Sequence, residues 1–374
     1  MGFSAGRGGG VDSDAMKALV FHAPRDVRCE TVPDPAPLEA GDVVCEIECT
    51  AICGSDLHVW RGNETGLDPG TVLGHEFVGR VVAVGAGVER FAPGDRVVAP
   101  FTTSCGVCAP CREGLSSRCE RGRLFGWVEG GEGLEGVQAE FARVPLADTT
   151  LVAVPDGLSP EEALLAGDVL STGYFCARSA RIEEGAKVCV LGCGPVGLMA
   201  IASARELGAE EVLAVDSVPE RLELARRFGG RPIPLDRGTG EAVRSHTEGR
   251  GANAVLEVVG SPSASRLALE VVRAGGTISA VGVHTEEHFA FSPGDAYDRN
   301  LTYVAGRSPA RALAPRMLEW LVERRYPFGA VFSHRMDLED GALAYELFDA
   351  KRDGCTKVLF TPSTPPRSPS HRVP

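Results

Sequence analysis

Four cysteines stand in the run SCGVCAPCREGLSSRCE: Cys105, Cys108, Cys111 and Cys119, spaced C-x2-C-x2-C-x7-C. Four thiolates on so short a loop can close a tetrahedron around zinc and leave no position for water. Disulfides are disfavoured, because twelve cysteines without an apolar leader at the N-terminus indicate a reducing, cytoplasmic compartment. An iron–sulfur cluster also takes four cysteines, but this spacing fits ferredoxin patterns poorly. The expected ion is a structural zinc, clipping a lobe too polar and glycine-rich to fold by burial. Cys29, Cys45, Cys49, Cys176, Cys189, Cys193 and Cys355 lie in apolar or strand-like context and read as small buried hydrophobes.

A second set of metal-ligand types is split between two segments. AICGSDLHVWRG carries Cys53, Ser55, Asp56 and His58, and VLGHEFVGRVV carries His75 and Glu76. Taken singly, each suits a structural role as well as a ligand role. A third set is GCGPVG, a G-x-G-x-x-G at Gly192, Gly194 and Gly197, after an apolar strand and before a helix, with Asp216 ending the next strand. In that order the glycines read as a dinucleotide turn: Gly192 for the tight bend, Gly194 for approach of the pyrophosphate, Gly197 for helix–sheet packing. The helix N-terminus stabilises phosphate charge. Asp216 would accept from the adenosine ribose hydroxyls and repel a 2'-phosphate, which favours NAD over NADP. Arg221, five residues on, either flanks the adenosine or is a solvated helix charge.

These sets need elements to hold them. Before about residue 150 the texture is strand and turn, as in DVVCEIECTAI and FVGRVVAVG, with GWVEGGEGLEG as a surface loop. SPEEALLAGDVLSTGYFCARSA reads as one helix capped by Ser159, with Pro160 in its first turn. From there strands alternate with helices, the pattern of parallel βαβ units. RLELARRFGG, ARALAPRMLEWLVERRY and GALAYELFDAKRDG are helices, and TKVLF is a last strand. The chain of 374 residues predicts two domains. Its formal net charge of −13 argues against nucleic-acid or anionic-membrane partners. No apolar run reaches the roughly 18 residues that span a bilayer. Residues 1–15 and 362–374, rich in Gly and in Ser/Pro respectively, read as disordered extensions.

The order of segments (Cys-Gly-Ser-Asp-Leu-His, then Gly-His-Glu, then the four-cysteine lobe, then Asp-Val-Leu-Ser-Thr-Gly-Tyr, then the glycine turn) resembles the zinc-dependent medium-chain alcohol dehydrogenase family over about residues 16–361. The resemblance implies an α/β protein: a GroES-like distorted β-barrel catalytic domain (16–169 and 307–361) plus a doubly wound Rossmann NAD-binding domain (170–306). It implies a catalytic zinc on Cys53, His75 and Asp168, with Glu76 a candidate exchange ligand and Asp56 orienting His75. Many members carry Cys at the third position; Asp there resembles the branch with glutathione-independent formaldehyde dehydrogenases and bacterial secondary alcohol dehydrogenases. Two Zn2+ per chain and NAD are the implied cofactors. The implied chemistry is reversible hydride transfer between an alcohol and NAD, the proton leaving by Ser55, the cofactor ribose and His58. Thr172 and Val196 would lie at the cofactor, and Trp60 and Phe101 would wall the substrate pocket. Gly54 stands where some members place an Arg on the pyrophosphate; Lys357 falls where a basic pyrophosphate contact is common. The implied assembly is a homo-oligomer, dimer or tetramer, acting on a small molecule. Polyol, amino-sugar or amino-alcohol dehydrogenases of the superfamily are the nearest rival, and a non-catalytic NAD-binding redox sensor is the rival from another class.

Overall fold

The computed structural model of this chain describes residues 15–35 and 39–362. The expected disordered ends fall outside these residues, except Ala15, which opens a strand, and Pro362. Among the described residues no helix is long and apolar enough to cross a membrane.

Six parallel strands form one sheet in the spatial order Arg231–Pro234, Glu211–Asp216, Lys187–Leu191, Ala252–Glu257, Val272–Ala280, Thr302–Ala305. Its central strands are apolar on both faces, as a sheet covered by helices on two sides requires. The alternation is visible residue by residue. Val188, Val190, Val212 and Ala214 pack with helices Val169–Ser179 and Pro195–Glu206. Cys189, Leu191, Leu213 and Val215 face the opposite way, toward Val243, Ala268 and Val271. Strand order reverses between Lys187–Leu191 and Ala252–Glu257, so a crevice opens at their carboxyl ends.

A seven-stranded sheet forms the second unit, and both ends of the chain contribute to it. Val358–Phe360 pairs antiparallel with Val43–Ala51, placing Leu359 opposite Ala51 and Phe360 opposite Thr50. This pairing sets Lys357 beside Cys53, some 300 positions away in the chain. Val43, Cys45 and Ile47 fill the barrel interior, while Cys49 and Ala51 face helix Pro160–Gly167 and the larger core.

Two local expectations need correction. The helix expected over 159–180 is two, Pro160–Gly167 and Val169–Ser179, parted at Asp168 with φ −144° and ψ −79°. Ser159 does cap the first, in a reciprocal box with Glu162. The break swings the Asp168 carboxylate out of the helical path and into the space beside Cys53. The glycine-rich loop after Phe125 holds a short hairpin, Trp127–Glu129 against Glu132–Leu134, turning at Gly130 and Gly131.

Candidate active site

Cys53 follows the end of strand Val43–Ala51, and Asp56 opens the short helix Asp56–Trp60. One Asp56 carboxylate serves two neighbours. Its Oδ2 accepts the Cys53 backbone N–H at 2.9 Å, and its Oδ1 lies 3.0 Å from His75 Nδ1. That contact fixes the imidazole and turns Nε2 toward Asp168 and Cys53. His75 Nε2 lies 3.5 Å from Asp168 Oδ2, and Cys53 Sγ lies 3.2 Å from the same oxygen. Bonds of about 2.0–2.3 Å from zinc to N, O and S put neighbouring tetrahedral ligands about 3.4 Å apart. The donors therefore stand at the separation a zinc ion imposes. Glu76 completes the group; all four residues are buried and their donor atoms lie within 4.8 Å of one another.

The electrostatics fit a cation as well. Burial pushes the Cys53 thiol up to about 11, and the Asp168 carboxylate adds to the shift. Burial opposes ionisation of Asp168, but His75 outweighs it by hydrogen bond and charge and holds the carboxyl below the usual range. Burial likewise opposes a charged His75, and Asp56 outweighs it, raising the imidazole. A dry cluster of thiol, imidazole and carboxylates needs positive charge at its centre to keep its donors ionised.

Lys357 supplies positive charge at the edge, not at the cofactor. It is fully buried, and its Nζ donates to Glu76 Oε1 at 2.9 Å and to the Ile52 carbonyl at 3.2 Å. The expectation of a pyrophosphate contact is thus corrected: the ammonium is taken up by Glu76. Trp60 is also corrected. It is 4% exposed and packs on Tyr345 with Arg25 over its ring, inside a core rather than on a pocket wall. Phe101 does line the cleft and meets His75 edge-on, ring centroids 6.4 Å apart.

Ser55 Oγ lies 3.4 Å from His75 Nε2, at the mouth of the donor group. His58 lines the same cleft, half-buried, its Nδ1 buried without a hydrogen-bond partner. Burial lowers its pKa, so the ring is neutral at physiological pH. Thr172 Oγ1 donates to Asp168 Oδ1 at 3.2 Å from the first turn of the second helix. Two residues that sequence reasoning missed brace this group. Tyr345 Oη donates to Gln138 Oε1 at 2.9 Å, and Gln138 Nε2 reaches Asp56 Oδ2 at 3.4 Å. A glutamine inside the strand-like GVQAEF was the available signal.

The cofactor side of the cleft is built on the glycine turn. Gly192 has φ +94°, and a Cβ on Gly197 would meet the Gly192 carbonyl oxygen at 1.9 Å. No larger residue fits between helix and strand there. A Cβ on Gly194 would find only the Arg221 guanidinium, 3.5 Å away, so that face stays open. Asp216 Oδ2 accepts the Cys193 N–H at 2.7 Å and Oδ1 accepts the Val218 N–H at 2.9 Å. Arg221 is buried, with Nη2 on the Cys355 carbonyl at 3.2 Å and Nε without a partner. It is not a solvated helix charge. Val196, in the turn, and Gly54, with open space around it, line the same cleft, which has a volume of about 1010 Å³.

The four-cysteine lobe is separate. Cys105, Cys108, Cys111 and Cys119 place their sulfurs within 4.8 Å of one another. Cys108 Sγ and Cys119 Sγ are 3.9 Å apart, close to the roughly 3.8 Å edge of a tetrahedron with Zn–S bonds of about 2.3 Å. The backbone N–H groups of Val107 and Cys108 pull the Cys105 thiol down to about 5. All twelve cysteines are free.

Residues 39–156 match the alcohol dehydrogenase GroES-like domain, and residues 195–323 match the zinc-binding dehydrogenase domain. Zinc-type alcohol dehydrogenase B of Aspergillus flavus is 44% identical over 92% of this chain and 81% of its own length. The chain belongs to the zinc-dependent medium-chain alcohol dehydrogenase family. A second family member, the uncharacterized zinc-type alcohol dehydrogenase-like protein AdhB of Bacillus subtilis, is 35% identical over 93% of this chain and all of its own. Alcohol dehydrogenase TADH from Thermus sp. ATN1 superposes with a TM-score of 0.87 at 41% identity, over 93% of this chain and 100% of that one. This medium-chain dehydrogenase is therefore a zinc-dependent alcohol oxidoreductase acting on small molecules.

Proposed function

We propose that the chain interconverts an alcohol and its aldehyde or ketone with NAD as the hydride carrier and two zinc ions bound. The observation that carries this reading is that the Cys53, His75 and Asp168 donors and the glycine turn with Asp216 open into one cleft. Cys53, His75 and Asp168 would hold the catalytic ion, with Glu76 beside them as exchange ligand and Asp56 orienting His75. Zinc bound there supplies Lewis acidity toward the substrate oxygen.

The chain's own groups handle the proton. Ser55 Oγ can accept and donate at once, and it is the hydroxyl at the mouth of the donor group. His58, neutral and in contact with the cleft, is the base from which the proton reaches solvent. Asp216 favours the unphosphorylated ribose of NAD: its carboxylate, held in place by the Cys193 and Val218 N–H groups, keeps lone pairs for ribose hydroxyls and would repel a 2'-phosphate. Val196, Thr172 and the strand ends at 258–260 and 281–283 line the nicotinamide side. Arg221 beside Gly194 offers the buried cation for the dinucleotide. Cys105, Cys108, Cys111 and Cys119 hold the structural ion. Free cysteines throughout suit the cytoplasm, and the open edge of strand Thr302–Ala305 suits pairing of two copies into a homo-oligomer.

Metal analysis of purified protein tests the reading. Two zinc ions per chain are expected, one after Cys53→Ser and one after Cys111→Ser. A single ion in the unsubstituted chain, or two retained in Cys53→Ser, would overturn it.

A further inference from the structure

Six basic side chains line the cleft: Arg61, Arg118, Arg221, Arg307, Lys351 and Lys357. Three are engaged, Arg61 with Asp349, Arg221 with the Cys355 carbonyl and Lys357 with Glu76. Lys351 belongs to the adenosine end, where its charge feels Arg221 and Asp216. Arg118 and Arg307 remain, and neither guanidinium has a hydrogen bond or ion pair among the described residues.

These two come together at the opposite end of the cleft. Arg307 follows strand Thr302–Ala305, the edge of the parallel sheet, while Asp216 ends the strand four places away. At about 4.8 Å per strand this is about 19 Å, so Arg307 lies far from the adenosine site. Arg118 ends the short turn Ser116–Arg118 of the cysteine lobe. That lobe returns along the substrate wall: Phe125 N–H donates to the Phe101 carbonyl at 3.2 Å, and Arg123 and Thr103 are likewise bonded. Ser117 Oγ donates to the Arg307 carbonyl at 3.1 Å, tying the two arginine-bearing segments across the cleft. Partial desolvation and the Arg118 charge both lower the Arg307 pKa, with Glu64 and Asp168 pulling the other way. The two guanidiniums therefore repel each other at this end of the cleft, with Glu64 and Asp168 partly offsetting the charge of Arg307.

We propose that Arg118 and Arg307 form an anion clamp at the substrate end of the cleft, so that the favoured substrate is an alcohol or aldehyde bearing a carboxylate or phosphate away from its reacting carbon. The proposal rests on the alcohol dehydrogenase reading of the same site. Two unpaired guanidiniums are the chemistry that recognises such a group, each offering a fork of N–H donors. Binding the anion also removes their mutual repulsion.

The test uses the zinc-loaded protein with NAD at low ionic strength and two matched substrates, 4-hydroxybutanoate and 1-butanol. The expected kcat/KM is at least tenfold higher for the anionic alcohol, and Arg307→Gln and Arg118→Gln each erase most of that ratio. A ratio near one in the unsubstituted chain, or a ratio unmoved in both variants, overturns the clamp while leaving the dehydrogenase reading intact. A binding measurement covers the case of no turnover. Butanoate, which cannot be oxidised at an alcohol carbon, should quench the fluorescence of Trp127, which lines the cleft, and butanamide should not. At least tenfold weaker butanoate binding in Arg307→Gln supports the clamp even if the dehydrogenase reading fails. Equal binding in the variant overturns it. Phosphate-bearing and carboxylate-bearing alcohols of equal length then separate the two sources of charge.

Discussion

Lys357 Nζ and Glu76 Oε1 lie 2.9 Å apart, both side chains without solvent exposure, directly beside the Cys53, His75 and Asp168 donors. Removing one partner leaves an uncompensated buried charge, which costs about 3–5 kcal/mol. Lys357→Met should lose about that much stability in urea unfolding, and the double variant with Glu76→Gln should recover much of it. In the single variant Glu76 escapes the penalty by taking up a proton. Its folded pKa then lies further above the ordinary carboxyl value, so the loss grows as pH rises. A change below about 1 kcal/mol would contradict the pairing.

Asp56 orients His75 and also accepts the Cys53 N–H. Asp56→Asn keeps the shape but removes the charge that fixes the imidazole. Partners of this kind are worth about 10- to 100-fold in metal affinity or activity. Chelator competition should show a loss of that size for one ion only, with the four-cysteine ion unaffected.

Asp216 ends its strand at the cleft, where the proposed reading has it accept from the ribose hydroxyls. Asp216→Ser should lower kcat/KM with NAD by about 10- to 100-fold, the worth of one charge-assisted hydrogen bond, and raise the rate with NADP. Initial rates with the two cofactors give the ratio directly. An unchanged preference would remove Asp216 from cofactor choice.

In the proposed proton route, His58 sets the pH dependence. Burial holds its pKa below the ordinary 6.5, so the neutral ring persists through pH 7. Protonated, it can accept no proton. Alcohol oxidation should stay level near neutrality and fall only at lower pH, while the reverse reduction gains there. His58→Gln should flatten the acid limb of kcat/KM.

Much of this arrangement was legible in the residues themselves. The cysteine spacing, the glycine turn with Asp216 and the alternating strands each follow from local rules. Four features were not. The sequence around Asp168 predicts one helix; its non-helical backbone goes with tertiary contacts to Cys53 and His75, which local spacing does not show. The position of Lys357 in the sequence suggests a pyrophosphate contact, but a residue type does not say which way an ammonium points; beside the strand pairing Leu359–Ala51 it turns inward to Glu76. Tyr345 and Gln138 are 207 positions apart, and no spacing rule links them. Trp60 shows the same limit, since an aromatic beside a ligand segment is as readily core as pocket.

The most direct measurement is near-ultraviolet absorbance of NADH formation by the zinc-loaded protein, with NAD and a panel of neutral and anionic alcohols. It is run in parallel on Cys53→Ser. Turnover in the unsubstituted chain, lost in a variant that still folds, binds NADH and keeps its four-cysteine zinc, is the predicted result. Undiminished turnover in Cys53→Ser, or none across the panel in protein holding two zinc ions, would contradict the account.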